Sequence, residues 1–134
     1  MNLLWKWRRR RQLRRDGFEF RYTTGPFLLP ESSGPLHWTI LNNDQVIQRV
    51  RVTVFRCVVG ESKTQVTRPS EVNIDPGGIS YSAASPGGGF AYEIQVECNS
   101  LQILPYVSVL PAKRGESAPG TIINSSAFIQ LAQR

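Results

Sequence analysis

The chain has few of the residues on which catalytic and metal sites are usually built. Its 134 residues include two cysteines, Cys57 and Cys98, and a single histidine, His37. A zinc site needs four ligands, and a hydrolytic triad needs a histidine base beside a nucleophile motif such as G-x-S-x-G, which the sequence lacks. The sequence therefore predicts no catalytic residue, no metal ligand, no cofactor and no small-molecule substrate. We interpret His37 as a surface or strand-packing residue.

Long apolar runs are also missing. The most apolar stretch, residues 101–110, is interrupted by Gln102, Pro105 and Ser108, and it is far shorter than the ~20 residues of a membrane-spanning helix. After the basic start of the chain, residues 17–24 alternate and carry charge, where a signal peptide would have an apolar core. We therefore expect cytoplasmic synthesis without a signal peptide or transmembrane segment, with deposition at a cell or spore surface left open.

Two cysteines allow at most one internal disulfide. One interpretation is two buried thiols in a reducing compartment, and the other is a disulfide within the body or between subunits. The sequence leaves the redox state of Cys57 and Cys98 open.

Most of the chain also lacks net charge, because the whole excess lies at one end. The first sixteen residues hold seven basic residues and Asp16, a net charge of +6, and the remainder has nine basic and nine acidic residues. Crowded cations repel one another unless an anionic partner neutralises them, so segment 1–16 predicts an arm that binds nucleic acid, a membrane surface or an acidic protein. Arginine binds phosphates bidentately, and tryptophan stacks on bases or lies at a lipid interface. The predicted binding residues of the arm are Trp5, Lys6, Trp7, Arg8, Arg9, Arg10, Arg11, Arg14 and Arg15.

The composition of the arm favours a helix. Residues 2–15 contain no glycine, proline or β-branched residue, Asn2 can cap the start, and Gly17 can end the helix. Repulsion among the cations opposes this tendency, so we expect the arm to be disordered alone and helical when bound. There are two alternatives. Residues 1–16 are a disordered tail that keeps the protein in solution, or the start codon was assigned upstream of the one that is used.

From residue 17 onward, apolar residues recur at every second position, which is typical of half-buried strands. The clearest case is the stretch 90–98. Its predicted inward residues are Phe90, Tyr92, Ile94, Val96 and Cys98, and its predicted outward residues are Glu93, Gln95 and Glu97. The same alternation places Leu36, Trp38 and Ile40 inward in one stretch, and Val46, Val50, Val52 and Val54 on one face of another.

Glycine and proline separate these stretches about every ten residues, which indicates an all-β protein. We predict a single antiparallel β-sandwich over residues 17–134, jelly-roll or immunoglobulin-like, with seven or eight strands and a basic N-terminal arm. The predicted strands are 18–24, 36–42, 46–59, 64–74, 79–83, 89–98, 101–110 and 121–132.

Two acidic residues offer a weak alternative to this non-catalytic interpretation. Glu93 and Glu97 lie on one face of a predicted strand, roughly 13 Å apart, which exceeds the carboxylate separation in either type of glycosidase. A solvated strand face explains them better. The glycine-rich stretches 76–78 and 86–89 lack a following lysine and helix, so they predict tight turns and not a phosphate cradle.

Several stretches are similar in style to those of small uncharacterised β-sandwich proteins of spore-forming Gram-positive bacteria. They are VRVTVFRC (50–57), VNIDPGGISY (72–81), FAYEIQVEC (90–98), LPYVSVL (104–110) and PGTIINSSAFIQL (119–131). The resemblance covers residues 46–131 and implies a structural or surface-layer role, as an assembling subunit like those of spore appendages. The arm lacks the N-terminal cysteines of those subunits, so disulfide-linked fibre assembly is not expected.

The predicted function is a non-enzymatic structural or surface assembly subunit, a homo-oligomer whose N-terminal segment docks on a neighbour or an anionic surface. Phe18, Phe20 and Tyr22 are the predicted assembly strand, since strand addition is a common mode of association. The first alternative is a nucleic-acid-binding or packaging protein that uses the arm. The second is a carbohydrate-binding module with aromatic platform residues drawn from Trp38, Tyr81, Tyr92 and Tyr106, two of which, Trp38 and Tyr92, the alternation assigns to the core.

Overall fold

A computed structural model describes residues 17–31, 33–111, 122–123 and 125–131 of the chain. The predicted arm, residues 1–16, lies outside the described residues. Within them, none of the helices is long and apolar enough to span a membrane. The elements in chain order are β1 (Phe20–Thr23), β2 (Phe27–Leu29), β3 (Ser33–Asn42), β4 (Gln48–Cys57), β5 (Thr64–Gln65), β6 (Ser70–Ile74), β7 (Ile79–Ala84), β8 (Phe90–Cys98), β9 (Ile103–Pro111), β10 (Ile122–Ile123), the 3₁₀ helix η1 (Ser125–Ala127) and β11 (Ile129–Gln130).

The strands form two antiparallel sheets. Sheet A has seven strands, in the order β11-β1-β8-β4-β5, with β2 also paired to β8 and β6 also paired to β4. Sheet B has four strands, in the order β10-β9-β3-β7. The prediction of an all-β, antiparallel, two-sheet architecture is confirmed.

The prediction of seven or eight strands is wrong, because several strands are interrupted. Strand β4 occupies one side of β8, and both β1 and β2 pair with its other side. Residues 24–26 separate β1 from β2 at a turn where Gly25 has φ +66°. In the same way β5 and β6 share one side of β4. The predicted strand 64–74 is thus two strands, and 121–132 is β10, η1 and β11. Alternation alone does not reveal such breaks.

The core lies between the two sheets. The predicted inward residues of β3 and β8 are buried, including Trp38 at 6% exposure and Tyr92 at 0%. The prediction of exposed outward residues is wrong for Glu93 and Gln95 of β8, which are 8% and 7% exposed. Val46 is an exception at 57% exposure, because β4 begins only at Gln48 and Val46 belongs to the preceding loop. Phe90 is the other exception, half-exposed at the start of β8. The buried apolar residues are Leu29, Leu36, Trp38, Ile40, Val50, Val52, Val54, Ile74, Tyr92, Ile94, Val96, Cys98, Ile103, Val107, Val109 and Ile123.

The strand register separates the two cysteines. Cys57 pairs with Ala91 of β8, and Cys98 pairs with Val50 of β4. Ala91 and Cys98 are seven residues apart on one strand, which is roughly 23 Å. A disulfide joins Cα atoms no more than about 7 Å apart, so this fold excludes a bond between Cys57 and Cys98 of one chain. Both thiols are free.

Candidate association surface

The outer face of sheet B is built from strands that contain no Asp, Glu, Lys or Arg. This is true of β3, β7 and β9 over their full lengths. Since successive side chains of a strand point to opposite faces, one set fills the core and the other forms an outer face without formal charge. Monomeric soluble proteins rarely expose large uncharged apolar faces, so this face is the first candidate for an interaction surface.

Two tyrosines lie in one row across this face. Thr39 of β3 pairs with Tyr81 of β7 on one side and with Tyr106 of β9 on the other. Tyr81 is 63% exposed and Tyr106 is 39% exposed. The Tyr81 hydroxyl shares a hydrogen bond with Nδ1 of His37, and the two ring centroids are 5.2 Å apart. His37 thus holds the Tyr81 ring in place, and the row presents two oriented aromatic side chains.

The next row of the same face is aliphatic. Leu41 of β3 pairs with Ile79 of β7 and with Leu104 of β9. Ile79 is 66% exposed and Leu104 is 39% exposed. The face therefore combines aromatic and aliphatic groups in adjacent rows, a composition that matches the core of protein interfaces.

The outer face of sheet A has the opposite character. Its central row alternates in charge across four strands: Glu97 of β8 pairs with Arg21 of β1 and with Arg51 of β4, and Arg51 pairs with Glu71 of β6. Arg51 binds the Glu97 carboxylate with two hydrogen bonds of 3.1 Å, and Arg21 approaches it at 3.7 Å. The guanidinium of Arg51 also lies 4.9 Å from the centre of the Phe18 ring. The charges of this face are satisfied within the chain.

Glu93, on the same outer face, is buried, where the sequence predicts a solvated residue. Its carboxylate accepts hydrogen bonds from Lys63 Nζ at 2.7 Å, Thr23 Oγ1 at 2.5 Å and Gln95 Nε2 at 3.3 Å, and it is 8% exposed. Burial alone would raise the pKa of Glu93, but the bonds from Lys63, Thr23 and Gln95 outweigh it and hold that pKa below its ordinary value. The prediction of a solvated strand face is wrong for Glu93 because Lys63, from the β4–β5 loop, covers it.

The predicted assembly strand lies inside sheet A. Phe20 and Tyr22 belong to β1, which pairs with β8 on one side and with β11 on the other. Both side chains pack against the core. Phe18 lies just before β1, with Arg49 4.4 Å from its ring centre. In this fold β8 pairs with β1 along its length, and β11 pairs with Tyr22 and Thr23 on the other side. A role of Phe18, Phe20 and Tyr22 in assembly stays a prediction.

The remaining predicted residues fall in three places. The arm residues Trp5 to Arg15 lie outside the described part of the chain. Of the four aromatic residues considered for a sugar platform, Trp38 and Tyr92 are in the core as expected, and Tyr81 and Tyr106 share the outer face of sheet B.

The thiols are poorly suited to nucleophilic chemistry. Burial raises the pKa of Cys98 to about 11, although a hydrogen bond with the Ser100 backbone acts in the opposite direction. Burial, with the nearby Glu93 carboxylate, also raises the pKa of the partly buried Cys57 thiol. A raised pKa disfavours the reactive thiolate.

One further concave feature is an open cleft of about 430 Å³ at one end of sheet A. It is lined by residues 46–49 together with Glu19, Asn73 and Asn99. No group of three or more His, Cys, Asp or Glu residues that could hold a metal ion occurs in the described ranges. The cleft has one acidic and one basic side chain and shows no arrangement that points to a ligand.

Sequence reasoning did not single out Leu41, Ile79 and Leu104 as surface residues. Two features of the sequence could have identified these surface residues. Three predicted strands contain no charged residue, and the alternation along β3 directs every second side chain outward. Their assembly into one surface depends on the pairing of β3 with β7 and β9, which are distant in sequence.

Comparison with known proteins gives information on the fold and none on the function. No protein-family model matches the chain, and no curated protein matches it. A solved structure, that of Thermotoga maritima 1070, is similar to it with a TM-score of 0.56 and 14% sequence identity. The match covers 81% of this chain and 93% of that one. At this identity the likeness concerns the arrangement of the strands.

Proposed function

We propose that this protein is a non-enzymatic assembly subunit that associates with copies of itself through sheet B. The observation that carries the proposal is the uncharged outer surface of β3, β7 and β9, on which Tyr81, Ile79 and Leu104 are exposed. An interface core of this kind is depleted in charge and enriched in aromatic residues.

The physical argument concerns the cost of desolvation. Burying a charged group in an interface costs free energy unless it is paired with good geometry, whereas burying Ile79 or the body of Tyr81 is favourable. Sheet B has no formal charge to desolvate along its three main strands. Two copies also meet without strong repulsion between their bodies, since residues 17–134 carry equal numbers of basic and acidic residues.

The basic segment adds a second contact to this proposal. Residues 1–16 carry the whole net charge of +6, and we propose that they bind an anionic surface or an acidic region of a neighbour once subunits assemble. The resemblance to small uncharacterised β-sandwich proteins of spore-forming Gram-positive bacteria implies a structural or surface-layer role, which is compatible with this proposal.

Sedimentation velocity on the full-length protein tests the association. We expect the apparent mass to rise with concentration between ~1 and ~200 µM, a range that brackets a micromolar Kd. Tyr81→Lys should raise that Kd at least ~30-fold, because it places a charge on the surface and removes an aromatic anchor. The matched control is Leu28→Lys, since Leu28 is 64% exposed on sheet A, as Tyr81 is 63% exposed on sheet B. It should leave the Kd unchanged.

Two results would overturn the proposal. One is a full-length protein that stays monomeric over the whole concentration range. The other is equal weakening by Leu28→Lys and Tyr81→Lys, which would show that added charge acts without regard to surface.

The same samples test the alternative functions. A nucleic-acid-binding protein would bind a labelled oligonucleotide with an affinity that falls steeply between ~50 and ~200 mM salt. A carbohydrate-binding module would bind insoluble polysaccharide and lose that binding in Tyr81→Lys and in Tyr106→Ala.

A further inference from the structure

Among the described strands, β7 is an edge strand without the features that usually protect an edge. It is the last strand of sheet B and pairs only with β3. Natural edge strands are shielded by being very short or by charged residues, proline or bulges. The β7 sequence, ISYSAA, is six residues long with neither charge nor proline.

The other described edges differ in this respect. The strands β5, β10 and β11 are each two residues long, and β2 is three residues long. The strand β6 carries Glu71, which forms an ion pair with Arg49 at 3.2 Å. Among these edges, β7 alone offers a row of several uncharged residues to another strand.

Hydrogen bonds fix which backbone groups of β7 point outward. Asn42 N donates to the Gly78 carbonyl on the β7 side, and Asn43 N donates to the Gln102 carbonyl on the β9 side. In an antiparallel ladder the direction alternates with each residue, so the even-numbered residues of β3 face β7. Their partners in β7 are Ser80, Ser82 and Ala84. The N–H and C=O groups of Ile79, Tyr81 and Ala83 therefore point to the free side.

We propose that β7 pairs with β7 of a second copy, antiparallel and about a twofold axis at Tyr81, to make one continuous eight-stranded sheet. This inference rests on the proposed self-association and specifies its geometry. Ile79, Tyr81 and Ala83 of each copy supply about six inter-chain hydrogen bonds in this register.

The side chains suit this register. The two Tyr81 residues meet at the axis, and each Ile79 lies opposite an Ala83, so a large residue faces a small one. Aromatic pairs across antiparallel strands are among the favourable ones. The row of Tyr106, Thr39 and Tyr81 then continues across both copies.

A second copy also fits better than a foreign strand because of where β1 lies and because the β7 edge is uncharged. In sheet A, β6 lies on the β4 side and contacts β7, whereas β1 lies beside β11 toward the other side. The twofold axis at β7 therefore keeps the two β1 strands, which the basic segments precede in sequence, on the outer sides of the dimer. An edge without charge meets its own copy with no like-charge repulsion.

Cysteine cross-linking in the full-length protein tests the register. Across an antiparallel ladder, Cα atoms of a hydrogen-bonded pair are ~5.5 Å apart, which lies within the range for a disulfide. Tyr81→Cys should therefore give a disulfide-linked dimer as the main product of mild oxidation. Leu104→Cys is the matched control on the same face, distant from the axis, and should remain unlinked. The unsubstituted protein, with Cys57 and Cys98 present, controls for the native thiols.

A second pair of variants tests the edge without relying on oxidation. Ala83→Pro removes an N–H on the side of β7 where no described strand pairs, and it should raise the dimer Kd at least ~30-fold with an unchanged circular dichroism spectrum. Leu104→Lys changes the outer face away from the edge and should change the Kd less than threefold.

The outcomes separate this inference from the proposed function. Two results would show that the copies pack face to face. The first is cross-linking of Leu104→Cys without cross-linking of Tyr81→Cys. The second is dissociation of the dimer by Leu104→Lys and not by Ala83→Pro. The edge pairing is then overturned and self-association through sheet B stands. A full-length protein that never associates overturns both.

Discussion

The two outer faces of this sandwich are made from strands of similar length and opposite chemistry. On sheet A, Arg51 and Glu97 form a bidentate pair, and Glu93 is enclosed by donors from three parts of the chain. On sheet B, Tyr81 and Ile79 are more than half exposed with no charge on their strands. The charges of the central row of sheet A are paired within one chain, whereas the described part of sheet B exposes apolar side chains and an uncharged strand edge. The comparison is the basis of our proposal that stability and association are served by different sheets of one fold.

If the outer face of sheet A serves stability, Glu93 should be its most sensitive charged residue. Glu93→Ala leaves Lys63 and Thr23 without their acceptor and should cost about 3 kcal/mol of unfolding free energy, at the low end for a buried pair because Lys63 stays half-exposed. Urea denaturation followed by circular dichroism measures it.

Two controls sharpen that result. Glu71→Ala breaks a pair in which both side chains are more than 40% exposed, and it should cost no more than about 0.5 kcal/mol. Ile79→Ser on sheet B should have an equally small effect on the monomer. A cost for Ile79→Ser as large as that for Glu93→Ala would remove the distinction between the sheets.

The stability of sheet A should also depend on pH in one direction. Hydrogen bonds hold the pKa of Glu93 below its ordinary value, so its contribution is present above that value and is lost as the pH falls through the lowered pKa. The stability gap between the unsubstituted protein and Glu93→Gln should therefore shrink as the pH is lowered from 6 to about 3. Urea midpoints at several pH values measure this gap, and a gap that stays constant would show that Glu93 does not carry the dependence.

A further variant, with a smaller effect than Glu93→Ala, tests whether the charged row matters beyond Glu93. Arg51→Ala removes two hydrogen bonds to Glu97 and should cost about 1 kcal/mol, since Arg51 is 35% exposed and solvent screens the pair. Arg49→Ala is the matched control, because Arg49 also lies against Phe18 but makes its ion pair at the surface. Equal losses for the two variants would assign the effect to the Phe18 contact.

Sequence reasoning predicted the inward residues of the central strands well. Trp38, Tyr92 and Val52 lie in the core, because alternation is a local property that the chain displays directly. It failed at the start of β4, where Val46 continues the alternation but lies outside the strand. It also failed at Glu93, because the lysine that covers it comes from a loop thirty residues away.

The candidate surface could be predicted only in part. The absence of charge from β3, β7 and β9 is visible in the sequence, and so is the outward direction of His37 and Thr39. That Tyr81 and Tyr106 flank Thr39 could not be read from the sequence, because it depends on which strands become neighbours. For the same reason the sequence could not show that β1, which holds Phe20 and Tyr22 of the predicted assembly strand, pairs with β8 and β11 of its own chain.

By itself, the sequence determined the separation of charge between residues 1–16 and the rest, the all-β class and the residues that face the core. These follow from composition and from a period of two, which act over a few residues. Only the tertiary structure decided that Glu97 lies between two arginines, that Glu93 is buried and that β7 is an edge among the described strands. Each of these depends on contacts between strands far apart in the chain, and strand pairing is set by the packing of the whole core.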